Sequence, residues 1–229
     1  MTDSSIRFPA ELEHRLIVSC QADPGDPLDD VETLRRMAVS VLRGGAGGLR
    51  ANGSDAIAAM RRETALPIIG IQKQYRATDV YITPDFTSAR AISQAGADVI
   101  ALDSTARRLT EAEPWPGLIQ RIHRELHKPV MADIATLDEA LAAVEAGADA
   151  VASTLCGYTS ETRNQGGICW SLVENMVRLL KVPVVLEGHV TQPGEFRRAL
   201  ELGVYAVVVG SAITRPQLIT GRFVQAIQG

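Results

Sequence analysis

The chain has 229 residues, a formal net charge of -4 and 46% hydrophobic residues. A chain of this length buries enough apolar surface to fold without disulfides or a structural metal. The acidic balance disfavours nucleic acids and anionic membranes as partners, because both bind clustered lysine and arginine. No apolar run approaches the ~20 residues that span a bilayer, and the first residues contain no apolar signal segment.

Cysteine usage indicates a reducing compartment. Cys20, Cys156 and Cys169 form an odd set without a C-x-x-C pair. Such a set predicts neither a disulfide framework nor a zinc site, and the small thiols are expected to pack in the core. Together with the lack of membrane signals, this predicts a soluble cytoplasmic protein.

Eight short apolar runs recur along the chain. They cover residues 16–18, 49–51, 67–71, 99–102, 129–132, 150–152, 183–186 and 206–209. Their hydrophobicity is continuous rather than alternating, which is typical of strands that are buried on both faces of a parallel sheet. We therefore predict eight parallel strands.

The intervals between the runs have the pattern of amphipathic helices. Apolar residues recur at helical spacing in segments 34–42, 173–180 and 219–227. Thr136 with Glu139, and Ser171 with Glu174, have the spacing of capping boxes at helix starts. Strands that alternate with helices predict a parallel α/β fold.

Two parallel folds fit this alternation, a closed (β/α)8 barrel and an open doubly wound sheet. The apolar runs begin alternately after glycine and after proline with a period of about fifty residues, which indicates four similar two-strand units. Such regularity favours the barrel, and no G-x-G-x-x-G motif follows the first run. We predict one (β/α)8 barrel domain over residues 1–229, with residues 1–13 as an N-terminal extension.

The active site of such a barrel lies at the C-terminal ends of its strands. Polar residues follow or end most of the apolar runs, namely Gln21, Arg50, Lys73, Asp103, Asp133, Thr154, Gly157 and Glu187. A desolvated lysine at the mouth can act as a general base or as a Schiff-base nucleophile, although Lys73 can also be an ordinary rim residue. Glu187 can be an acid or part of an ion pair, and Arg50 and Asp133 can simply neutralise each other.

Glycines follow the seventh and eighth runs, where phosphate-binding barrels hold their anion. Gly188 follows the seventh run, and Gly210 and Ser211 follow the eighth. Backbone amides at this place can bind phosphate, and Arg215 can pair with the phosphate or with a sugar oxygen. The alternative is a plain glycine turn in which Ser211 caps a helix. We predict a barrel of the phosphate-binding type.

The four histidines lack the spacing of metal ligands. Only His189, close to Glu187, falls near the predicted mouth. We therefore expect no metal site.

Nine segments carry a family resemblance, in order and at barrel spacing. They are residues 18–22, 44–51, 69–73, 80–84, 100–103, 131–134, 154–159, 187–188 and 209–216. Over residues 14–229 the chain resembles the N-acetylmannosamine-6-phosphate 2-epimerases. Three positions depart from the family pattern: Asp85 for a small polar residue, Ser104 for alanine, and Cys156 for the serine of a T-L-S-G-Y-T motif.

The resemblance implies an isomerase that interconverts N-acetylmannosamine 6-phosphate and N-acetylglucosamine 6-phosphate in amino-sugar and sialic-acid catabolism. It implies that Lys73 and Glu187 are catalytic and that no metal or organic cofactor is needed. The positions that match the family's remaining site residues are Gln21, Arg50, Asp133 and Arg215 for the substrate, and Gly188, Gly210 and Ser211 for its phosphate. The expected partner is a small sugar phosphate, and we also expect a homodimer.

Other functions stay open at this point. One is a barrel lyase or synthase that forms a Schiff base with a sugar phosphate on Lys73. Another is a sugar-phosphate sensor without catalytic activity, although such a sensor needs neither Lys73 nor Glu187. A metal-dependent pentulose-phosphate epimerase is disfavoured, because histidines are missing from the strand ends.

Overall fold

The computed structural model describes residues 6–76 and 79–227. Within these residues, eight strands close a parallel barrel in the order β1-β10-β9-β8-β7-β6-β3-β2. The barrel strands are β1 (Leu16–Cys20), β2 (Gly48–Asn52), β3 (Ile68–Ile71), β6 (Val99–Asp103), β7 (Val130–Asp133), β8 (Ala150–Ala152), β9 (Val184–Glu187) and β10 (Ala206–Val209). Each of the eight apolar runs forms one of these strands, so the predicted (β/α)8 barrel is confirmed.

Helices connect the strands and cover the barrel. They are α1 (Val31–Arg43), α2 (Ser54–Arg61), α3 (Phe86–Gln94), α4 (Trp115–Leu126), α5 (Leu137–Glu145), α6 (Trp170–Leu179), α7 (Pro193–Glu201), α8 (Ser211–Thr214) and α9 (Pro216–Gln225). The segment 34–42 lies on α1, and the segments 173–180 and 219–227 lie on α6 and α9 except for their last one and two residues. Across the described ranges, no helix is both long and apolar enough to cross a membrane.

The two predicted capping boxes have different outcomes. Thr136 caps α5: its hydroxyl accepts the Glu139 amide at 3.3 Å, and the Glu139 carboxylate accepts the Thr136 amide at 3.1 Å. The prediction for Ser171 was wrong. Helix α6 begins at Trp170 with Cys169 as the preceding residue, so Ser171 already lies within the first turn.

The barrel buries two apolar layers, because successive strand residues point alternately inward and outward. Ile17, Ile69 and Val185 belong to one buried cluster, and Leu49, Ile100 and Val207 belong to the other, which also contains helix residues. Leu12, on the short 3-10 helix Ala10–Leu12, joins the first cluster and lies next to Gly48 at the start of β2. Residues 6–13 of the predicted N-terminal extension thus close the N-terminal end of the barrel, while residues 1–5 lie outside the described residues.

Two further strands, β4 (Lys73–Tyr75) and β5 (Val80–Ile82), form an antiparallel pair outside the barrel. They follow β3 directly and stand at its C-terminal end. The hydroxyl of Thr83 supports this segment by donating to the carbonyl of Ala101 at 2.6 Å. The pair places Lys73 on a strand at the mouth of the barrel.

The prediction of unpaired cysteines was wrong for Cys156 and Cys169, which form a disulfide. The loop after β8 folds back to the start of α6, and this brings the two Cα atoms to 6.6 Å although 13 positions separate them in sequence. Spacing alone does not reveal this approach. Cys20 is a free, buried thiol as predicted, and burial raises its pKa to about 12.

The disulfide is expected to stabilise the fold by restricting the unfolded chain. For a closed loop of this size, the chain-entropy model gives about 3 kcal/mol. Urea unfolding with a dithiol reductant should therefore give a free energy of unfolding lower by about that amount. The double variant Cys156→Ser/Cys169→Ser should equal the reduced protein and should not respond to the reductant. Equal unfolding with and without reductant in the wild-type chain would contradict the expectation.

Candidate active site

A cavity of about 1060 Å³ opens at the C-terminal ends of the barrel strands. Eight of the nine site residues expected from the resemblance line it, namely Gln21, Arg50, Lys73, Glu187, Gly188, Gly210, Ser211 and Arg215. The ninth, Asp133, is fully buried and contacts Arg50. The fold therefore brings all nine residues together.

The base of the cavity holds one cation between two carboxylates. Arg50 ends inside the barrel on β2 and is only 1% exposed. It donates to both oxygens of Asp133, at 3.0 and 2.6 Å, and one of the same nitrogens also donates to Glu187. The hydroxyl of Thr154 donates to Asp133 at 2.5 Å. Arg50 and Asp133 thus form an ion pair, to which Glu187 adds a second negative charge. The predicted substrate contacts of Arg50 and Asp133 stay predictions.

The carboxyl group of Glu187 has a raised pKa. Burial penalises the ionised form of Glu187, the charge of Arg50 opposes that effect, and the charge of Asp133 reinforces it. The net result raises the pKa of Glu187 from its ordinary 4.5 to about 7. A carboxyl group with this pKa can both donate and accept a proton near neutral pH.

The raised pKa makes the stability of the protein depend on pH with a defined sign. Between about pH 4.5 and 7 the native state holds a proton that the unfolded chain has released, so stability falls as the pH rises. Glu187→Gln removes this penalty. The free energy of unfolding of the variant, relative to wild type, should rise by about 3 kcal/mol across this interval.

Chemical denaturation at a series of pH values measures this difference. Glu145→Gln on the exposed end of α5 provides the control, because it removes the same charge without a buried environment. A Glu187→Gln difference that stays constant with pH would show that Glu187 titrates normally.

Lys73 lies higher, on the rim of the same cavity. Its backbone amide donates to the Asn52 side chain at 2.8 Å, which ties β4 to the end of β2. Its amine contacts the carboxylate of Asp23 at 3.1 Å. Lys73 therefore pairs with Asp23, an acid in the loop after β1. The search for polar residues at strand ends did not identify Asp23.

Arg215 is also held by acids of this loop. It follows α8, and its guanidinium donates to Asp23 at 2.7 Å and to Asp26 through its other terminal nitrogen. The burial of Asp23 opposes ionisation, but the charges and hydrogen bonds of Lys73 and Arg215 outweigh that effect and lower its pKa. The predicted phosphate or sugar contact of Arg215 stays a prediction.

The glycine loops give the wall of the cavity its shape. Gly188 has a φ of 102°, a conformation that favours glycine, and it follows Glu187 directly. Gly210 precedes α8, and a Cβ there would lie 3.3 Å from the Cβ of Ser19. Ser211 is the first residue of α8 and not its cap, so the predicted capping by Ser211 is wrong. Gly188, Gly210 and Ser211 thus line the cavity at the ends of two adjacent strands, β9 and β10. Phosphate binding at these residues stays a prediction.

Sequence reasoning also missed an aromatic pair on this wall. The rings of Tyr158 and His189 stack with their centroids 4.8 Å apart. Both residues line the cavity next to Glu187. Two residues on the earlier candidate list, Asp103 and Gly157, are not part of the described cavity lining. Asp103 instead accepts hydrogen bonds from Arg107 and Thr105, outside the Arg50 cluster. In the described ranges, no three His, Cys, Asp or Glu side chains are grouped so that they could hold a metal ion.

The closed barrel, with its charged cavity at the C-terminal strand ends, defines a (β/α)8 barrel protein with a site suited to an anionic ligand. A family model described as "Putative N-acetylmannosamine-6-phosphate epimerase" matches residues 34–229. The chain therefore belongs to this epimerase family, and the resemblance of its motifs is confirmed.

Individual relatives agree with the family model. A protein from Thermosynechococcus vestitus named "Putative N-acetylmannosamine-6-phosphate 2-epimerase" is 48% identical over 224 residues, covering 97% of each chain. One of the same name from Cutibacterium acnes is 42% identical over 230 residues and covers all of both chains. The solved N-acetylmannosamine-6-phosphate 2-epimerase from Clostridium perfringens superimposes with a TM-score of 0.89, at 39% identity and 94% coverage of each chain.

Proposed function

We propose that this protein is an epimerase that interconverts N-acetylmannosamine 6-phosphate and N-acetylglucosamine 6-phosphate. Family membership supports the reaction. The observation that carries its chemistry is the pair of proton-transfer groups, Lys73 and Glu187, lining one cavity together with Arg50. A sensor would need only the anion site.

The reaction inverts C2 of the amino sugar. In the open-chain form, the C1 aldehyde acidifies the proton on C2, and the Lys73 amine removes it. The electron pair moves into an enolate, whose oxygen needs a positive charge or a hydrogen-bond donor, which Arg50 can provide. Return of a proton to the other face of C2 gives the epimer. Glu187, with its pKa near 7, transfers protons during ring opening and closure.

Substrate binding uses the rest of the cavity. The backbone around Gly188, Gly210 and Ser211 receives the phosphate, with Arg215 as its charged partner. Gln21 and Arg50 contact the sugar, and Asp133 acts from below by orienting Arg50. This mechanism uses neither a metal nor an organic cofactor.

Replacement of Lys73 tests the mechanism. Lys73→Ala should abolish both epimerisation and deuterium incorporation at C2, with a loss of at least ~10²–10⁴-fold, the usual contribution of a general base. Lys73→Arg should be nearly as inactive, because a guanidinium does not release its proton near neutral pH. Proton NMR of N-acetylmannosamine 6-phosphate in D₂O measures both quantities.

Lys181→Ala is the matched control, because Lys181 is exposed and lies outside the cavity lining. Retention of C2 exchange in Lys73→Ala would transfer the role of base to another group, of which Glu187 is the nearest candidate by chemistry. Borohydride trapping of substrate on wild-type Lys73 would instead indicate the Schiff-base reaction.

We further propose that the chain forms a homodimer through α9. No residue of this helix is buried, and its only charged side chain is Arg222. Phe223 is 76% exposed, and Ile227 just beyond the helix is 86% exposed. A surface this apolar and this poor in charge suits a second copy of the same chain. The single domain over residues 1–229 and the cytoplasmic location also stay predictions.

A charged residue on this surface should separate the protomers. Phe223→Glu is expected to convert a dimer into a monomer in light scattering coupled to size-exclusion chromatography. Gln225→Glu introduces the same charge on the same helix without removing an apolar side chain, and it should remain dimeric. A monomeric wild-type chain at micromolar concentration would contradict the proposal.

A further inference from the structure

One carboxylate joins two sides of the cavity. Asp23, in the loop after β1, accepts from the Lys73 amine and the Tyr75 hydroxyl through one oxygen, each at 3.1 Å. Its other oxygen accepts from Arg215 at 2.7 Å. Lys73 and Tyr75 belong to β4, whereas Arg215 follows α8. Among the residues that the structure describes, Asp23 is therefore the one side chain that contacts both of these cations.

The backbone of this loop is built to hold the carboxylate still. Residues 23–26 read Asp-Pro-Gly-Asp, and the amide of Asp26 donates to the carbonyl of Asp23 at 2.9 Å. Gly25 has a φ of 85°. Proline at the second position, glycine with positive φ at the third and the closing hydrogen bond are the features of a type II turn. Both acids that contact Arg215 thus stand at the two ends of one rigid turn.

The charges balance at the rim. Asp23 and Asp26 provide two negative charges, and Lys73 and Arg215 provide two positive charges. Asp26 is held independently of Lys73, because it also accepts from the Leu28 amide at 2.9 Å and from Gln217. Asp23 contacts both cations, so its charge acts on Lys73 and on Arg215 together.

We propose that Asp23 is a positioning residue that holds the Lys73 amine and the Arg215 guanidinium across the cavity mouth. This inference rests on the proposed roles of Lys73 in proton transfer and of Arg215 in phosphate binding. C2 and the 6-phosphate lie at opposite ends of the open-chain sugar. The Lys73 amine and the Arg215 guanidinium must therefore be held at a fixed distance from each other, because misplacement of either group lowers the rate steeply.

Charged groups surround the Lys73 amine at the cavity mouth. Lys73 is faced directly by Asp23, with Tyr75 on the same carboxylate and Arg215 beyond it. The other charged residues that line the cavity are Asp26, Arg50, Arg76, Asp79, Arg107 and Glu187. Asp23→Asn keeps the shape of the side chain but removes its charge, so this substitution weakens the contacts with both cations without leaving a hole.

The test measures whether Asp23 acts through Arg215. Asp23→Asn should lower kcat/KM about tenfold in the wild-type chain. In the Arg215→Ala variant the same substitution should cost clearly less, because one of the two contacts of Asp23 is already missing. Asp23→Glu, which keeps the charge, should retain most of the wild-type kcat/KM.

Asp29→Asn is the matched control, because Asp29 is an exposed acid on the same loop, and it should leave kcat/KM unchanged. Wild-type kinetics in Asp23→Asn would overturn the inference. An equal loss in the wild-type and Arg215→Ala chains would reduce Asp23 to a structural residue. Full activity in Lys73→Ala or Arg215→Ala would instead overturn the proposed roles, whatever Asp23 does.

Discussion

The candidate site depends on one buried arginine. Arg50 is almost fully removed from water, a state that is very unfavourable unless carboxylates compensate its charge. Asp133 on β7 and Glu187 on β9 both do so, and these strands reach Arg50 only because the barrel is closed. The same contact leaves one negative charge in excess, which helps keep a proton on Glu187. The same buried cluster therefore neutralises Arg50 and raises the pKa of Glu187.

The charges of the cavity lie at two depths that are held by different means. The deep cluster is fixed by strand ends, whose positions follow from the hydrogen bonds of the barrel. The rim pair, Lys73 and Arg215, is carried by β4 and by the segment after α8, and Asp23 connects them.

Much of this could be predicted from the sequence, and the failures have a common cause. The eight strands, the barrel and the polar residues at its mouth follow from local hydrophobicity, since strand ends of a parallel barrel meet at one end wherever they occur in the chain. The contact of Asp23 with Lys73 and the disulfide of Cys156 with Cys169 depend instead on how loops fold over the mouth. No periodic pattern records such contacts. Strand β4 was not predicted for a related reason, since three residues are too few to show an alternation of apolar and polar side chains.

The three departures from the family pattern also lie in segments that connect the barrel strands and helices. Asp85 caps α3 by accepting the Ser88 amide at 2.8 Å, Ser104 is buried behind β6, and Cys156 ties the loop after β8 to the start of α6. None of the three belongs to the described lining of the cavity. Each alters how a connecting segment is held and leaves the described lining of the cavity unchanged. The fold tolerates such variation because Glu187 and Arg50 are positioned by barrel strands, whereas the contacts that hold a connecting loop can change one at a time.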